Sequence, residues 1–326
     1  MWFARPGIPN LISYYGPSLQ GLRWTPVEGG FSGAEVWRGD DPAGTARFAA
    51  KRWPVGTSEE RLRQIHAWMR LPASLPFIPG LLPALSGATH VEMDQRLWDV
   101  TRWVPGQPLQ SLPSASEDEV RPACRAVAHV HAFWLPLTRE IPCPGLLRRA
   151  AVLEDWRSNP MQLTPPQDCP SEWTLLIERA RKVIAEHLQP LLKALRGWEG
   201  LSVRVRPCFR DLRGEHILFT DEKVTGIVDF GAVDLDHPAV DLARLLGDLA
   251  GEDERLFRAG LDAYREGGGR LDVRDEYVRL LDRSGILCSI AGWLRRKELW
   301  PELNMNAKSG PRLRKLVGRA ERFSTT

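Results

Sequence analysis

The sequence predicts an α+β protein of two lobes, the first rich in antiparallel strands and the second larger and mostly helical. Three observations predict it. The first hundred residues read mainly as strands and turns, long helical periodicities dominate the rest, and a proline-glycine joint at Val104, Pro105 and Gly106 lies between them. With 326 residues, 43% of them apolar, the chain can bury a large core. The expected division is a strand-rich lobe over 1–103, a hinge at 104–107 and a helical lobe over 108–326.

The first lobe opens with Gly29, Gly30, Phe31, Ser32 and Gly33, which lead into a strand from Ala34 to Arg38. A turn rich in Asp, Pro and Gly follows, and then a second strand from Arg47 to Trp53, so the pair reads as a β-hairpin. Placing its turn at Asp40 to Thr45 sets Lys51 opposite Ala34, beside the glycine-rich segment. Ser58 caps a helix running to about Arg70, with Glu59 and Glu60 in the first turn and Leu62, Ile65, Trp68 and Met69 on one apolar face. A further strand pair follows, near His90 to Met93 and from Arg96 to Trp103, with Asp94 and Gln95 as its turn.

Beyond the joint, helices are expected over Glu117 to Phe133, Pro170 to Arg196, Ala239 to Gly251, Glu252 to Glu266 and Glu276 to Leu299. A strand-rich insert from Ser202 to Phe230 interrupts them. The basic stretch Lys308 to Arg322 carries Leu313, Leu316 and Val317 at helical spacing and reads as a surface helix docked on the second lobe.

Composition excludes several classes. A formal net charge of +3 is too small for a nucleic-acid footprint unless the charge is clustered, and the apolar runs fall short of the roughly 20 residues that span a bilayer. The N-terminus lacks a basic segment followed by an apolar run and a small-residue cleavage site, which points to the cytoplasm. Five cysteines, Cys124, Cys143, Cys169, Cys208 and Cys288, are widely spaced without a C-x-x-C pair and read as reduced thiols.

The informative segment runs from Phe209 to Gly231. Ile217 to Phe219 and Val224 to Val228 are two short strands joined at Asp221, Glu222 and Lys223. Counting outward from Glu222 puts position 216 opposite 228 or 229. The hairpin therefore brings His216 and Asp229 together at its open end, with Asp211 in the loop just before it. Two carboxylates and an imidazole, in a chain that also carries a glycine loop and Lys51, suit a site for metal and phosphate. Read singly, each is better explained as a loop acid capping a nearby helix or as a satisfied histidine; the constellation as a whole is what points to metal and phosphate.

These segments resemble the aminoglycoside phosphotransferase-like branch of the kinase fold, which includes small-molecule kinases. The family carries an H-x-D-x-x-x-x-N loop, a D-F-G-like triplet and then D-P-A-x-D-L-A. Here the corresponding residues are Phe209 to His216, then Asp229, Phe230 and Gly231, then His237 to Ala243. The resemblance implies a two-lobed protein-kinase-like fold and ATP-dependent transfer of a phosphoryl group to a hydroxyl of a small molecule. It implies Asp211 as catalytic base and Asp229 as principal Mg²⁺ ligand. Lys51 and the Gly29, Gly30, Ser32, Gly33 lid would hold phosphate, and Trp103 and Val104 would hold adenine at the hinge. Asp241 would brace the catalytic loop, or only cap its own helix. Glu60, with Glu59 as the other candidate, would be the acid paired with Lys51.

Three departures stand out. Phe209 replaces the usual histidine, Arg210 a frequent glycine, and His216 the asparagine expected as second metal ligand. Mg²⁺ prefers oxygen ligands whereas imidazole suits transition metals, so His216 predicts a relative shift toward Mn²⁺. The departures also motivate an alternative, a catalytically inert nucleotide-binding module; a protein kinase is disfavoured because no A-P-E segment follows Asp229. Arg204 and Arg206 read as one solvated strand face, and Arg213 as the loop arginine placed to bind phosphate or an acidic substrate. The slightly basic chain argues against a polycationic acceptor.

Overall fold

The computed structural model of the chain describes residues 8–27, 33–109, 115–159, 171–295 and 309–323. In chain order the described helices are α1 (Ile8–Tyr15), α2 (Glu59–Arg70), α3 (Glu117–Phe133), α4 (Pro144–Ser158), α5 (Ser171–Arg196), α6 (Ala239–Leu249), α7 (Glu254–Glu266), α8 (Asp275–Arg295) and α9 (Ser309–Ala320). The strands are β1 (Arg23–Val27), β2 (Glu35–Asp40), β3 (Ala46–Arg52), β4 (Val91–Met93), β5 (Arg96–Arg102), β6 (Gln107–Pro108), β7 (Arg139–Pro142), β8 (Ser202–Cys208), β9 (Ile217–Thr220), β10 (Lys223–Ile227) and β11 (Asp234–Asp236). They divide into two compact units, Met1–Leu109 with Glu215–Ala232, and Gln110–Gly214 with Val233–Thr326.

The first unit is built on a five-stranded antiparallel sheet of order β1-β2-β3-β5-β4. One face buries Trp37, Ala50, Trp98 and Val100 against Leu11 and Tyr15 of α1, and Trp37 stacks on Trp98 with ring centroids 5.0 Å apart. Stacked indoles of this size supply much of a small core's apolar burial. The Ser58 side chain accepts the Arg61 N–H at 3.2 Å, capping α2 as its sequence predicts, and α2 buries Leu62, Ile65, Trp68 and Met69.

Helix α1 and strand β1 lie outside the elements expected from the sequence. Pro26 within β1 weakens a strand reading, but β1 is the edge of its sheet, where a residue without an N–H costs no ladder bond.

The β2–β3 register also differs from the expected one. Lys51 pairs with Val36, not Ala34, because Asp40 closes on Ala46 and a bulge follows between Gly39 and Asp40, two successive one-residue shifts. A second sheet of order β10-β9-β6 completes this unit. Its hairpin turns on Asp221 and Glu222, both at positive φ (46° and 61°), the conformation of a tight two-residue turn.

In the second unit, β7, β8 and β11 form a three-stranded sheet of order β11-β8-β7. The expected insert from Ser202 to Phe230 is thus divided: β8 belongs to this sheet, whereas β9 and β10 belong to the first unit. Helix α7 packs on α3, and α8 packs on α4, α5 and α6. Asp253 caps α7 by accepting the Leu256 N–H at 2.9 Å, so that helix begins at Glu254 rather than Glu252.

Helix α4 was not expected. Its apolar residues surround the axis, with Leu146, Leu153 and Trp156 buried but Leu147 and Val152 exposed, so no single stripe announces it. Helix α9 docks through buried Leu313 and Val317, and its Arg319, 5% exposed, bonds Asp282 and Glu252. Among the described residues no helix is long and apolar enough to cross a membrane.

Candidate active site

In the first unit the β9–β10 hairpin places His216 opposite Val228, whose N–H donates to the His216 carbonyl at 2.9 Å. The next residue, Asp229, turns to φ +62°, a left-handed conformation that non-glycine residues occupy mostly where a site requires it. Its carboxylate lies 3.8 Å from His216 Nε2 through Oδ2 and 3.3 Å from Lys51 Nζ through Oδ1. Gly231 N–H also donates to Oδ1 at 3.3 Å. A side chain on Gly231 would approach that oxygen to 3.2 Å and Lys51 Nζ to 3.4 Å, so this close packing uses the missing Cβ. Burial raises the Asp229 pKa, but the neighbouring Lys51 ammonium, with His216 and the Gly231 N–H beside it, outweighs burial and holds the carboxyl below its ordinary value.

Lys51 projects over the ring of Trp53, just past the end of β3, 4.2 Å from the centroid. Its ion pair is with Asp229, and α2 supplies no carboxylate to it: Glu59 bonds Arg63 and His90, and Glu60 is exposed in the first turn. The polar residue that α2 turns inward is instead His66, whose Nε2 donates to Asp99 Oδ2 at 2.9 Å. Trp53 Nε1 donates to the same oxygen at 2.6 Å. The Glu60–Lys51 pairing expected from the sequence is therefore replaced by Lys51–Asp229, with a separate buried His66–Asp99–Trp53 cluster beside it.

Gly29, Gly30 and Ser32 lie outside the described residues. Gly33 is described and takes φ +74°, and Arg96 ties its carbonyl (3.2 Å) to that of Trp53 (2.5 Å), just past Lys51. The Trp103 N–H is committed to the Arg47 carbonyl at 2.9 Å, while among the described residues no acceptor takes the Val104 N–H.

In the second unit Asp211 sits in the loop after β8, its side chain 45% exposed. Arg213 approaches Oδ2 at 3.2 Å and Arg244 approaches Oδ1 at 3.1 Å, so both carboxylate oxygens are held by guanidinium groups. Arg213 is thus turned onto Asp211 itself.

Helix α6 fixes the whole loop. Asp241, fully buried, accepts the N–H groups of Phe209 (2.7 Å) and Arg210 (2.6 Å), while Asp248 accepts that of Gly214 at 3.0 Å. Positions 241, 244 and 248 recur at helical spacing on one stripe of α6, and all three address residues 209–214. Asp241 thus braces the loop rather than only capping its own helix.

Arg210 has φ +66°, at the position where the resemblance leads one to expect glycine. Its cost is offset by the Asp241 bond and by an ion pair to Asp234 at 2.8 Å.

Two histidines complete the brace. Burial pushes the His131 pKa below its ordinary value, so the ring is neutral; Nε2–H donates to Asp241 at 3.0 Å and Nδ1 accepts from the Tyr264 hydroxyl at 2.9 Å. The donor atoms of His131, Cys208 and Asp241 lie within 4.8 Å of one another, the spacing of a metal cluster. Their bonds are already filled, Cys208 Sγ–H by the Asp236 carbonyl at 3.2 Å, so the group is a hydrogen-bonded support. His237 stands where an aspartate was expected. Its Nδ1 accepts the Ala239 N–H at 3.1 Å, supplying the helix-start acceptor an aspartate would offer, and Nε2–H donates to Asp272 at 2.6 Å. Phe209 is buried against the Trp134 and His131 rings at 5.3 and 6.5 Å.

Arg244, Asp248, His66, Asp99 and Arg96 escaped the sequence reading. Only the first two left a signal in it, the i, i+3, i+7 stripe that begins at Asp241.

The donor set fits a divalent ion at Asp229. Its Oδ1 is taken by Lys51 and Gly231, which leaves Oδ2 and the facing His216 Nε2 as an oxygen and a nitrogen ligand on one side. His216 Nδ1 is buried without an acceptor among the described residues, so the imidazole lacks the partner that usually orients a metal-bound histidine.

The family model described as "Phosphotransferase enzyme family" matches residues 23–277. Among solved structures, the chain is similar to a spectinomycin phosphotransferase in complex with ADP and spectinomycin: TM-score 0.67, 13% identity, 98% of this chain and 99% of that one covered. It is also similar to an amicoumacin kinase in complex with AMP-PNP, Ca²⁺ and Ami (TM-score 0.62, 13% identity, 96% and 92% covered). A type I macrolide 2'-phosphotransferase aligns with TM-score 0.54, 15% identity and 93% and 97% coverage. At such identities the likeness establishes the fold, that of kinase-like phosphotransferases. No curated protein matches the chain.

Proposed function

Because the chain belongs to the phosphotransferase enzyme family, we propose that it transfers the terminal phosphoryl group of ATP to a hydroxyl of a small molecule. The observation that carries this reading is the α6 stripe, which clamps the loop of Asp211 at both ends and holds the Asp211 carboxylate itself. Phosphoryl transfer asks little covalent chemistry of a protein and much positioning, and a carboxylate fixed this way supplies it.

In the proposed reaction, Asp211 accepts a hydrogen bond from the acceptor hydroxyl and takes its proton as the oxygen bonds to the γ-phosphorus. The bond from that phosphorus to the bridging oxygen breaks, and ADP leaves. Arg213 and Arg244 keep the carboxylate aimed. Lys51 holds phosphate oxygens, and the Gly29–Gly33 segment would cover them with backbone N–H groups. The unengaged Val104 N–H suits a ring nitrogen of adenine. Asp229, with His216, would hold a divalent ion, which when bound neutralises phosphate charge. The nucleotides and Ca²⁺ named for the similar structures support a nucleotide and a divalent ion here.

The test is ATP consumption across a panel of hydroxyl-bearing metabolites with Mg²⁺ and Mn²⁺, beside thermal-shift titration with ATP. Turnover with at least one acceptor is expected. Binding of ATP with no turnover on any acceptor would favour the inert nucleotide-binding module instead.

A further inference from the structure

The second unit contains a cavity of about 560 Å³ that includes none of Asp211, Arg213 or Arg244 in its lining. Four arginines line it: Arg204 and Arg206 from β8, Arg265 from the end of α7, and Arg270 from the segment after it. Arg204 and Arg206 share a face of the strand, as their alternation predicts, but that face is not simply solvated. Arg206 is only 3% exposed.

Arg206 is the decisive residue. A guanidinium is costly to remove from water unless a carboxylate or other acceptors compensate it. Among the described residues Arg206 has no ion pair, and its buried Nε has no acceptor. Arg270 likewise has no ion pair among the described residues. The acid in the lining, Asp272, is already committed, through Oδ1 to His237 and through Oδ2 to the Arg204 N–H. Arg204 and Arg265 are neutralised from outside the lining, Arg204 by Glu140 at 3.7 Å and Arg265 by Asp262 and Asp275, which leaves Arg206 and Arg270 uncompensated among the described residues. The cavity therefore holds positive charge in excess of what its own walls can satisfy.

We propose that this cavity binds a phosphate-bearing small molecule. Guanidinium groups reach it from separate elements, so several oxygens must be offered in different directions. A tetrahedral phosphoryl group offers three, whereas a carboxylate offers two in one plane. The volume falls within the range of about 300–1,000 Å³ typical of small-molecule pockets and exceeds what a lone phosphate fills. Leu135 and Leu271, also in the lining, provide apolar surface for the rest of the ligand.

Titration calorimetry of the full chain with inorganic pyrophosphate, in EDTA, tests the site. Saturable binding is expected in the wild type and is retained in Lys51→Met, whose candidate nucleotide-phosphate contact is removed; in that Lys51→Met background it is weakened at least about tenfold by Arg206→Met and several-fold by Arg270→Gln. Arg270 is exposed, so its variant keeps the test sound even where Arg206→Met fails to fold, which far-UV circular dichroism would reveal. Absence of saturable binding at millimolar pyrophosphate would overturn the proposal. So would binding lost in Lys51→Met but kept in Arg270→Gln, which would place pyrophosphate with the candidate catalytic residues. Tighter binding of citrate than of pyrophosphate would overturn the phosphate assignment.

Discussion

Asp241 and Asp248 stand two turns apart on one face of α6, and together they accept three backbone N–H groups of the loop that carries Asp211. The loop is therefore held by charge-assisted bonds from a rigid helix, and between those two acids Arg244 reaches the Asp211 carboxylate. Asp241→Asn keeps the shape but presents an amide N–H₂ where an acceptor is needed. It is expected to cost about 3–5 kcal/mol of stability, the range for breaking one partner of a buried charged network. Denaturant unfolding measures it, and a loss below 1 kcal/mol would show that the loop does not depend on this acid.

Arg244→Ala removes a guanidinium from an exposed carboxylate and leaves the backbone anchors in place. Its expected effect is a fall in kcat of about 10–100-fold with the KM for ATP unchanged, as for a group that positions the base rather than the nucleotide. Steady-state kinetics separates the two parameters.

Lys51 bridges Asp229 and the Trp53 ring. Lys51→Met preserves its length and apolar stem but not its charge, and should weaken ATP binding about tenfold or more with little change in fold. Unaltered ATP affinity by titration calorimetry would place the nucleotide phosphates elsewhere.

The metal prediction turns on His216. With an imidazole nitrogen facing Asp229 Oδ2, the ratio of Mn²⁺- to Mg²⁺-supported turnover should fall about tenfold in His216→Asn, because the amide oxygen suits the harder ion. Equal ratios in the two proteins would mean that His216 does not ligate.

Asp272 links pH to stability. The hydrogen bond from His237 lowers its pKa from the ordinary value to about 2, so the folded state favours the carboxylate. A depressed folded pKa contributes stability that is present above the unfolded value near 4 and lost as pH falls through 2. After discounting for a side chain that is 32% exposed, Asp272→Asn should cost about 1 kcal/mol at pH 7. The difference from wild type should shrink as pH falls below about 4 and vanish only below about 2, and thermal unfolding across that range measures it.

Much of this arrangement was legible in the sequence because it rests on local pattern. The 216–229 hairpin was countable from its turn, although two departures cancelled. The turn is one residue tighter than the three-residue reading, and a bulge between Val224 and Gly226 restores the offset, leaving His216 opposite Val228. No such cancellation occurred at Lys51, where two shifts added. The partner of Lys51 is not legible in the sequence: the family resemblance points to a helix acid, whereas α2 turns His66 inward toward an aspartate on β5. Arg244 and Asp248 were visible as a stripe with Asp241, yet a helix stripe does not say which loop it faces. Arg206 read as a solvated strand residue because alternation fixes a face without telling whether that face is open or closed.

The central claim, that Asp211 is the base of a phosphotransferase, is tested most directly by Asp211→Asn. Measured beside wild type on an acceptor that the wild type phosphorylates, this variant should bind ATP with an affinity within about threefold and lose kcat by at least about 10³-fold. Retention of full transfer activity by Asp211→Asn would contradict the account.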